Sequence, residues 1–395
     1  MTVVTSPKRI LLKKREEHRI LSGHPWVFSN QIAETTGNPE VGELVDVIAS
    51  AGTFLGSGLY NPHSLIACRI LSHSPLNEIS TSFFLERISR AFDLRRKVFS
   101  EGEAFRVVHG EADFLPGLVV DRYDRFLCVQ TVSAGMDQRL PLVCDALEQL
   151  FKPEGILERN ETPLRTLENL PLRKGILRGT CSITSFSESG VSFFVDPLGG
   201  QKTGFYLDQR ENRVATRRFA LNASVLDCFC NDGGFGLHAA YAGASEVLGV
   251  DSSADAIARA TRNAEENKLQ GVRFVEEDVF ECLKRLHAES RKFDVVILDP
   301  PSFTRSKKNV QSARKGYRDL HTFALRVLTG GGILATASCS HHIRADAFLE
   351  EIVRAAEKEK RGIQELSWLG AAIDHPTLPA VPETSYLKFG LFRVH

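Results

Sequence analysis

One stretch constrains this chain more than any other: Val225–Asp251, VLDCFCNDGGFGLHAAYAGASEVLGVD. Val225 to Phe229 is an apolar run of strand length, Asn231 to Gly236 is a tight glycine turn, and Leu237 to Tyr241 starts a helix. A second apolar run, Glu246 to Val250, ends on Asp251. Strand, glycine turn, helix and a strand closed by a carboxylate make half of a nucleotide-binding α/β fold.

Backbone chemistry indicates what such a turn holds. Gly233 and Gly234 lack the Cβ atoms that keep a ligand off the main chain. A carboxylate at the position of Asp251 accepts hydrogen bonds from a ribose diol, so an adenosine-containing ligand is expected. The turn does not read G-x-G-x-x-G, and its Asn231 and Asp232 are poor company for a pyrophosphate. They suit the aminopropyl ammonium and sulfonium of S-adenosylmethionine, to which the turn residues Asn231, Gly233 and Phe235 are assigned. The competing reading is an α/β turn with no ligand.

The alternation continues beyond Asp251. Ser253 to Asn267 reads as a helix capped by Ser252 or Ser253, and strands are expected at Val272–Val275, Phe293–Leu298 and Gly332–Ala337. Polar residues recur after these strands: Asp251, Asp278, Asp299 and Cys339. In an open parallel sheet such ends share one crevice, where ligands bind. Upstream, Val191–Arg213 reads as a hairpin and then the start of a helix. It offers Lys202, Tyr206, Asp208, Gln209 and Arg210 to the same cleft.

The chemistry concentrates at two strand ends. Pro300 and Pro301 stiffen the backbone after Asp299, which can then hold a flat base by its edge. Cys339, between Ser338 and Ser340, is placed to add a thiolate to C6 of a pyrimidine and make C5 nucleophilic. A buried structural cysteine is the competing reading. His341 and His342 follow directly, and adjacent residues point apart, so at most one assists proton transfer. Removal of the C5 proton requires a base, to which the sequence assigns no residue. Six basic residues follow the prolines, Arg305, Lys307, Lys308, Arg314, Lys315 and Arg318, and are read as phosphate contacts against a solvated loop.

The remainder supplies context. At 395 residues the chain exceeds a single core, and two or three domains are expected. Residues 1–75 read as all-β, with a strand at Leu44–Ile48, a turn at Ala51-Gly52 and a basic start whose Lys13 and Lys14 are candidate RNA contacts. Residues 76–188 read as a helix from Ser80 to Ser100, paired strands around Tyr123-Asp124 and a helix from Asp137 to Phe151. Lys+Arg and Asp+Glu both total 49, so any polyanion must be met by local patches. The eight cysteines have no C-x-x-C pairing and read as reduced thiols, with Cys228-x-Cys230 as strand packing and no metal site. MTVVTSPKRILLKKREEH has no apolar signal core and no run of about 18 apolar residues occurs, so a cytoplasmic protein is expected.

With these residues assembled, the chain resembles the bacterial 23S ribosomal-RNA cytosine-C5 methyltransferases with an N-terminal PUA domain. The matching runs include GHPWVFSNQI, LGSGLYNPHSLIACRIL, GEADFLPGLVVDRY, GQKTGFYLDQRENR, DPPSFTRSKK, SCS, DHP and PETSYLK. The resemblance implies a PUA domain at 1–75, a central β-rich α+β domain at 76–188, and a class I methyltransferase domain at 189–395 with a seven-stranded sheet. It implies S-adenosylmethionine contacts at Phe229, Gly233, Asp251, Asp278 and Asp299, a nucleophile at Cys339, and Gln209 and Arg210 along the cleft. The partner expected is 23S ribosomal RNA or a large-subunit assembly intermediate, without membrane association; monomer and homodimer both stay open. Two other functions compete: methylation of a guanine N2 or N7 in ribosomal RNA, which needs no thiol, and a non-catalytic RNA-binding assembly role.

Overall fold

The computed structural model describes residues 8–200, 203–304 and 307–395. The chain packs as two compact units, one of Met1–Phe186, Val195–Leu207 and Ile373–Thr384, the other of Ser187–Phe194, Asp208–Ala372 and Ser385–His395.

The first unit carries two sheets. Six strands, Arg9–Leu12, Trp26–Phe28, Ile32–Thr36, Leu44–Ile48, Phe54–Tyr60 and Ile66–Ser72, form the first; all neighbours are antiparallel except Arg9–Leu12 with Leu44–Ile48. The alternation of Leu44–Ile48 is realised in space, because Val45 and Val47 enter the core beside Ile10, Leu12 and Ile70. The second sheet has five strands in the order Arg173–Gly179, Gly155–Asn160, Phe126–Thr131, Leu118–Tyr123, Phe105–His109. Asp124, at φ 53°, turns the central hairpin where Tyr123-Asp124 was expected. The first helix is shorter than expected, Thr81–Arg95. The second splits into Ala134–Asp137 and Leu140–Phe151, because Pro141 lacks the N–H that would continue the ladder and instead restarts the helix.

The second unit is a doubly wound α/β sheet. In chain order its elements are α1 (Arg210–Arg217), β1 (Ser224–Cys228), α2 (Gly234–Tyr241), β2 (Glu246–Asp251), α3 (Ala254–Glu266), β3 (Val272–Glu276), α4 (Val279–Ala288) and β4 (Phe293–Leu298). These are followed by α5 (Val310–Val327), β5 (Leu328–Ser338), α6 (Ala345–Lys358), β6 (Ile363–Leu369) and β7 (Lys388–Val394). The seven strands lie in the order β3-β2-β1-β4-β5-β7-β6, with β1 to β5 parallel and β7 antiparallel to both neighbours. The chain reverses direction across the sheet between β1 and β4, which opens a crevice at their carboxyl ends. Helices cover both faces, so β1 is buried along nearly its whole length.

One local expectation shifts. Val191–Val195 is the second strand of a hairpin whose first strand is Thr184–Glu188, with Ser189 at φ 49° and Gly190 at φ 93° making the turn. The next regular element is the turn of 3-10 helix at Leu207–Gln209. Among the described residues no helix is long and apolar enough to cross a membrane.

Candidate active site

The turn after β1 is coiled by three left-handed residues: Phe229 at φ 62°, Asn231 at φ 46° and Gly233 at φ 82°. Only glycine adopts such a φ without cost, and a Cβ on Gly233 would also lie 2.8 Å from the Phe274 ring. The helix therefore begins at Gly234, three residues earlier than the sequence suggests. Asp251 ties the turn to the next helix: one carboxylate oxygen accepts the Asn231 N–H at 3.0 Å, the other the Ser253 N–H at 3.0 Å. Ser253 caps α3 as expected.

Beneath the turn lies an acid that the sequence reading passed over. Asp227, within β1 and fully buried, accepts the Gly236 N–H at 2.7 Å through one oxygen; the other has no partner among the described residues. Burial pushes its carboxyl up to about 7, the Gly236 bond pulls down, and the charges of Asp299 and Asp251 push up again. The Asn231 side-chain oxygen is likewise buried and unpartnered among the described residues. Asp232, by contrast, accepts from Arg259 through one oxygen at 2.7 Å.

The other side of the crevice is built from hydroxyls, a thiol and a cation. Asp299 follows β4, and Gln209 donates to its carboxylate at 2.8 Å while accepting from Asn212 at 2.6 Å. The two prolines lead to Ser302, whose hydroxyl meets that of Ser340 at 3.0 Å. Tyr317, on α5, meets the Ser340 hydroxyl at 3.0 Å and accepts from Ser338 at 2.9 Å. Burial drives the Tyr317 phenol up to about 12; the two serine bonds lower it, and Cys339 and Asp299 raise it. Cys339 is half-buried between these anchored serines.

Behind it stands Lys388, the first residue of β7 and the cross-strand partner of Ser338. Its ammonium donates to the carbonyls of Ser340 and Tyr386, each at 2.8 Å. Burial lowers it to about 8, with the interaction with Cys339 acting in the opposite direction. Tyr386 in turn donates its hydroxyl to Asp208 at 2.5 Å and lies 5.6 Å from the His341 ring.

The second unit thus carries Phe229, Asn231, Gly233, Asp251, Asp299 and Cys339 at the carboxyl edge of one sheet, with Gln209 and Asp208 bonded to that edge. Two other expectations, Phe235 and Arg210, are corrected. Phe235 is a core residue: the early helix start turns it onto the sheet, where it stacks 5.8 Å from Phe389. Arg210, expected to meet RNA, is buried beside Glu188, which also binds Arg213 and His238. Asp278 is exposed and caps α4 through the Glu281 N–H at 3.1 Å. Tyr206 belongs to the other unit. Lys13, Lys14 and Lys308 are exposed, Lys307 lies in a 3-10 turn, and Arg305 falls outside the described residues. Sequence reading missed Asp227, Tyr317 and Lys388. A lysine opening the mostly apolar strand KFGLFRV was the available signal for the last.

Comparison with known proteins follows the same division. Residues 10–73 match the family model of a PUA-like domain, and residues 221–374 match that of a methyltransferase domain. Ribosomal RNA large subunit methyltransferase I of Escherichia coli O139:H28 is 36% identical over 392 residues, covering 98% of this chain and 99% of its own. The chain belongs to that family. The same-named protein of Shigella boydii serotype 18 shows the same identity and coverage.

Solved structures agree on the fold. A Streptococcus mutans chain provisionally assigned as a SAM-dependent methyltransferase superposes with a TM-score of 0.83 at 21% identity, covering 98% of this chain and 99% of its own. A second, solved in complex with SAH, gives a TM-score of 0.84 at the same identity and coverage. The family member described here therefore combines a PUA-like domain with a Rossmann-like domain of the SAM-dependent methyltransferase class.

Proposed function

We propose that this chain transfers a methyl group from S-adenosylmethionine to C5 of a cytosine in large-subunit (23S) ribosomal RNA, with Cys339 as the nucleophile. The observation that carries this is the half-buried thiol at the end of β5, one strand from Asp299 and set between two bonded serines. C5 of cytosine is a poor nucleophile until a thiolate is bonded at C6; guanine nitrogens need no such help.

The glycine turn fits the cofactor. The unpartnered oxygens of Asp227 and Asn231 are acceptors for an ammonium, and the Asp251 carboxylate is one for a ribose diol. When bound, S-adenosylmethionine supplies an electrophilic methyl carbon on a positively charged sulfur.

The chain's own residues do the rest. The Cys339 thiolate gives an electron pair to C6, and the C5=C6 π pair passes to C5, which takes the methyl group. A base takes the C5 proton, the C5–H pair returns to the ring double bond, and the C6–S bond breaks with its pair returning to Cys339. Asp299, held by Gln209, accepts from the exocyclic amine and keeps the base edge in place. We further assign residues 1–75 to RNA binding, 76–188 to a central β-rich domain and 189–395 to methyl transfer. Lys13, Lys14 and Lys308 serve as exposed phosphate contacts in the cytoplasm.

Ribosomal RNA and methyl-labelled cofactor incubated with the Cys339→Ala protein test the covalent step. Transfer is expected to fall by at least about 10⁴-fold. RNA carrying 5-fluorocytosine, which has no C5 proton to lose, is expected to form a denaturation-resistant adduct with the native protein and none with Cys339→Ala. Unimpaired transfer by Cys339→Ala would overturn the covalent route.

A further inference from the structure

Buried ammonium groups are costly unless an anion accompanies them, and Lys388 has none that is permanent. It is 7% exposed, and its bonds run to two carbonyl oxygens rather than to a carboxylate. An ammonium has three donors. The third has no partner among the described residues.

The position of this cation is set by the sheet. Lys388 opens β7 opposite Ser338, and its ammonium binds the carbonyl of Ser340, so it brackets the one residue between them. That residue is Cys339, whose negative charge raises the ammonium against the lowering effect of burial. The other titratable groups around the pair are Tyr317 on α5, Asp299 after β4, His341 on the turn after β5, and Tyr386, which is bonded to Asp208. None forms an ion pair with Lys388 among the described residues. Tyr317 is held neutral by burial, and it serves Ser338 and Ser340.

We propose that Lys388 is a positioning residue whose ammonium is the built-in counter-charge of the Cys339 thiolate, so that the nucleophile is ionised at neutral pH before RNA arrives. It rests on the reading of Cys339 as nucleophile, and it accounts for why a buried lysine begins a mostly apolar strand. An ammonium held by backbone carbonyls stays in place when the thiolate leaves for C6 and receives it again when the adduct breaks. Ionisation is thereby supplied by the fold, with no separate base to deprotonate the thiol.

Iodoacetamide labelling of the full-length protein, without RNA or cofactor and read peptide by peptide in a mass spectrometer, tests this. Cys181, the other half-buried cysteine, is an internal reference. In the native protein at about pH 7, Cys339 is expected to react at least about tenfold faster than Cys181, as one unit of favourable ionisation dictates. Lys388→Met is expected to remove that advantage at about pH 7 and to leave the rate near pH 10, where thiols are ionised regardless, unchanged. Lys388→Arg, which keeps a charge, is expected to restore most of it. A native Cys339 no faster than Cys181, or a folded Lys388→Met protein with undiminished reactivity at neutral pH, overturns the proposal. Because neither RNA nor cofactor is present, that failure is separate from methyl transfer by Cys339→Ala, which would remove the nucleophile itself.

Discussion

The two sides of this crevice are cut from one sheet and carry opposite electrostatics. Around β1 and β2 the groups are acids and amide oxygens, some of them, at Asp227 and Asn231, without partners among the described residues. Around β5 and β7 they are serine and tyrosine hydroxyls, a thiol and an ammonium, and the hydroxyls bond to one another. A side with unused acceptors is prepared for a cationic ligand. A side whose hydroxyls are satisfied and whose cation lacks an anion is prepared to hold a negative sulfur. One fold can thus keep a methyl donor and its acceptor chemistry apart by a strand or two, because each strand end sets its own local field.

That contrast is breakable by experiment. The largest effect belongs to the hydroxyl side: Cys339→Ala should lose methyl transfer by about 10⁴-fold or more while calorimetry finds cofactor affinity within about twofold of native. Loss of both together would mean that the two sides are not separable. Next comes Asp251→Asn on the acidic side, expected to weaken cofactor binding by about 10- to 100-fold, the worth of charge-assisted hydrogen bonds. Its turnover at saturating cofactor should change little.

Asp227 sharpens the contrast through pH. Its carboxyl is raised to about 7, so it is largely neutral below that value and gains charge above it. Affinity for a cationic cofactor should therefore rise as pH increases through about 7, and Asp227→Asn should flatten the profile. Stability should move the other way. A folded value above the unfolded one means stability that is full below about pH 4 and lost as pH rises through about 7, and the Asn variant should lack this slope in thermal melts. A slope of unchanged size in that variant would remove Asp227 as its source. The smallest effect is expected at Gly233→Ala, where a left-handed φ of 82° and the Phe274 ring 2.8 Å from the new Cβ should cost about 1–3 kcal/mol of stability.

Much of the acidic side was legible in the residues. The glycine turn, the strand ending on Asp251 and the Ser253 cap follow from local rules of backbone and periodicity, and they lie close together in the chain. The first miss on that side was Asp227, hidden because a buried acid inside an apolar run looks like part of the strand. The partner of Asp232 was out of view for a different cause, since Arg259 sits on α3. Phe235 and Arg210 were given to ligands because an aromatic beside a glycine turn and an arginine in a polar run look available. Packing against Phe389 and Glu188 decided otherwise.

The hydroxyl side was legible only in outline. Asp299, Pro300, Pro301 and the Ser-Cys-Ser run marked where chemistry belongs, but not what holds it. Tyr317 comes from the middle of α5 and Lys388 from the last strand, which inserts antiparallel between β5 and β6. By itself the sequence determined the α/β alternation, the turn and the residues at each strand end, because those depend on φ preferences and on the spacing of apolar side chains over a few residues. Only the tertiary structure decided which of those polar groups are already paired and which cation stands behind Cys339, because hydrogen bonds and Coulomb interactions act over a few ångströms between atoms that the chain brings together from distant positions.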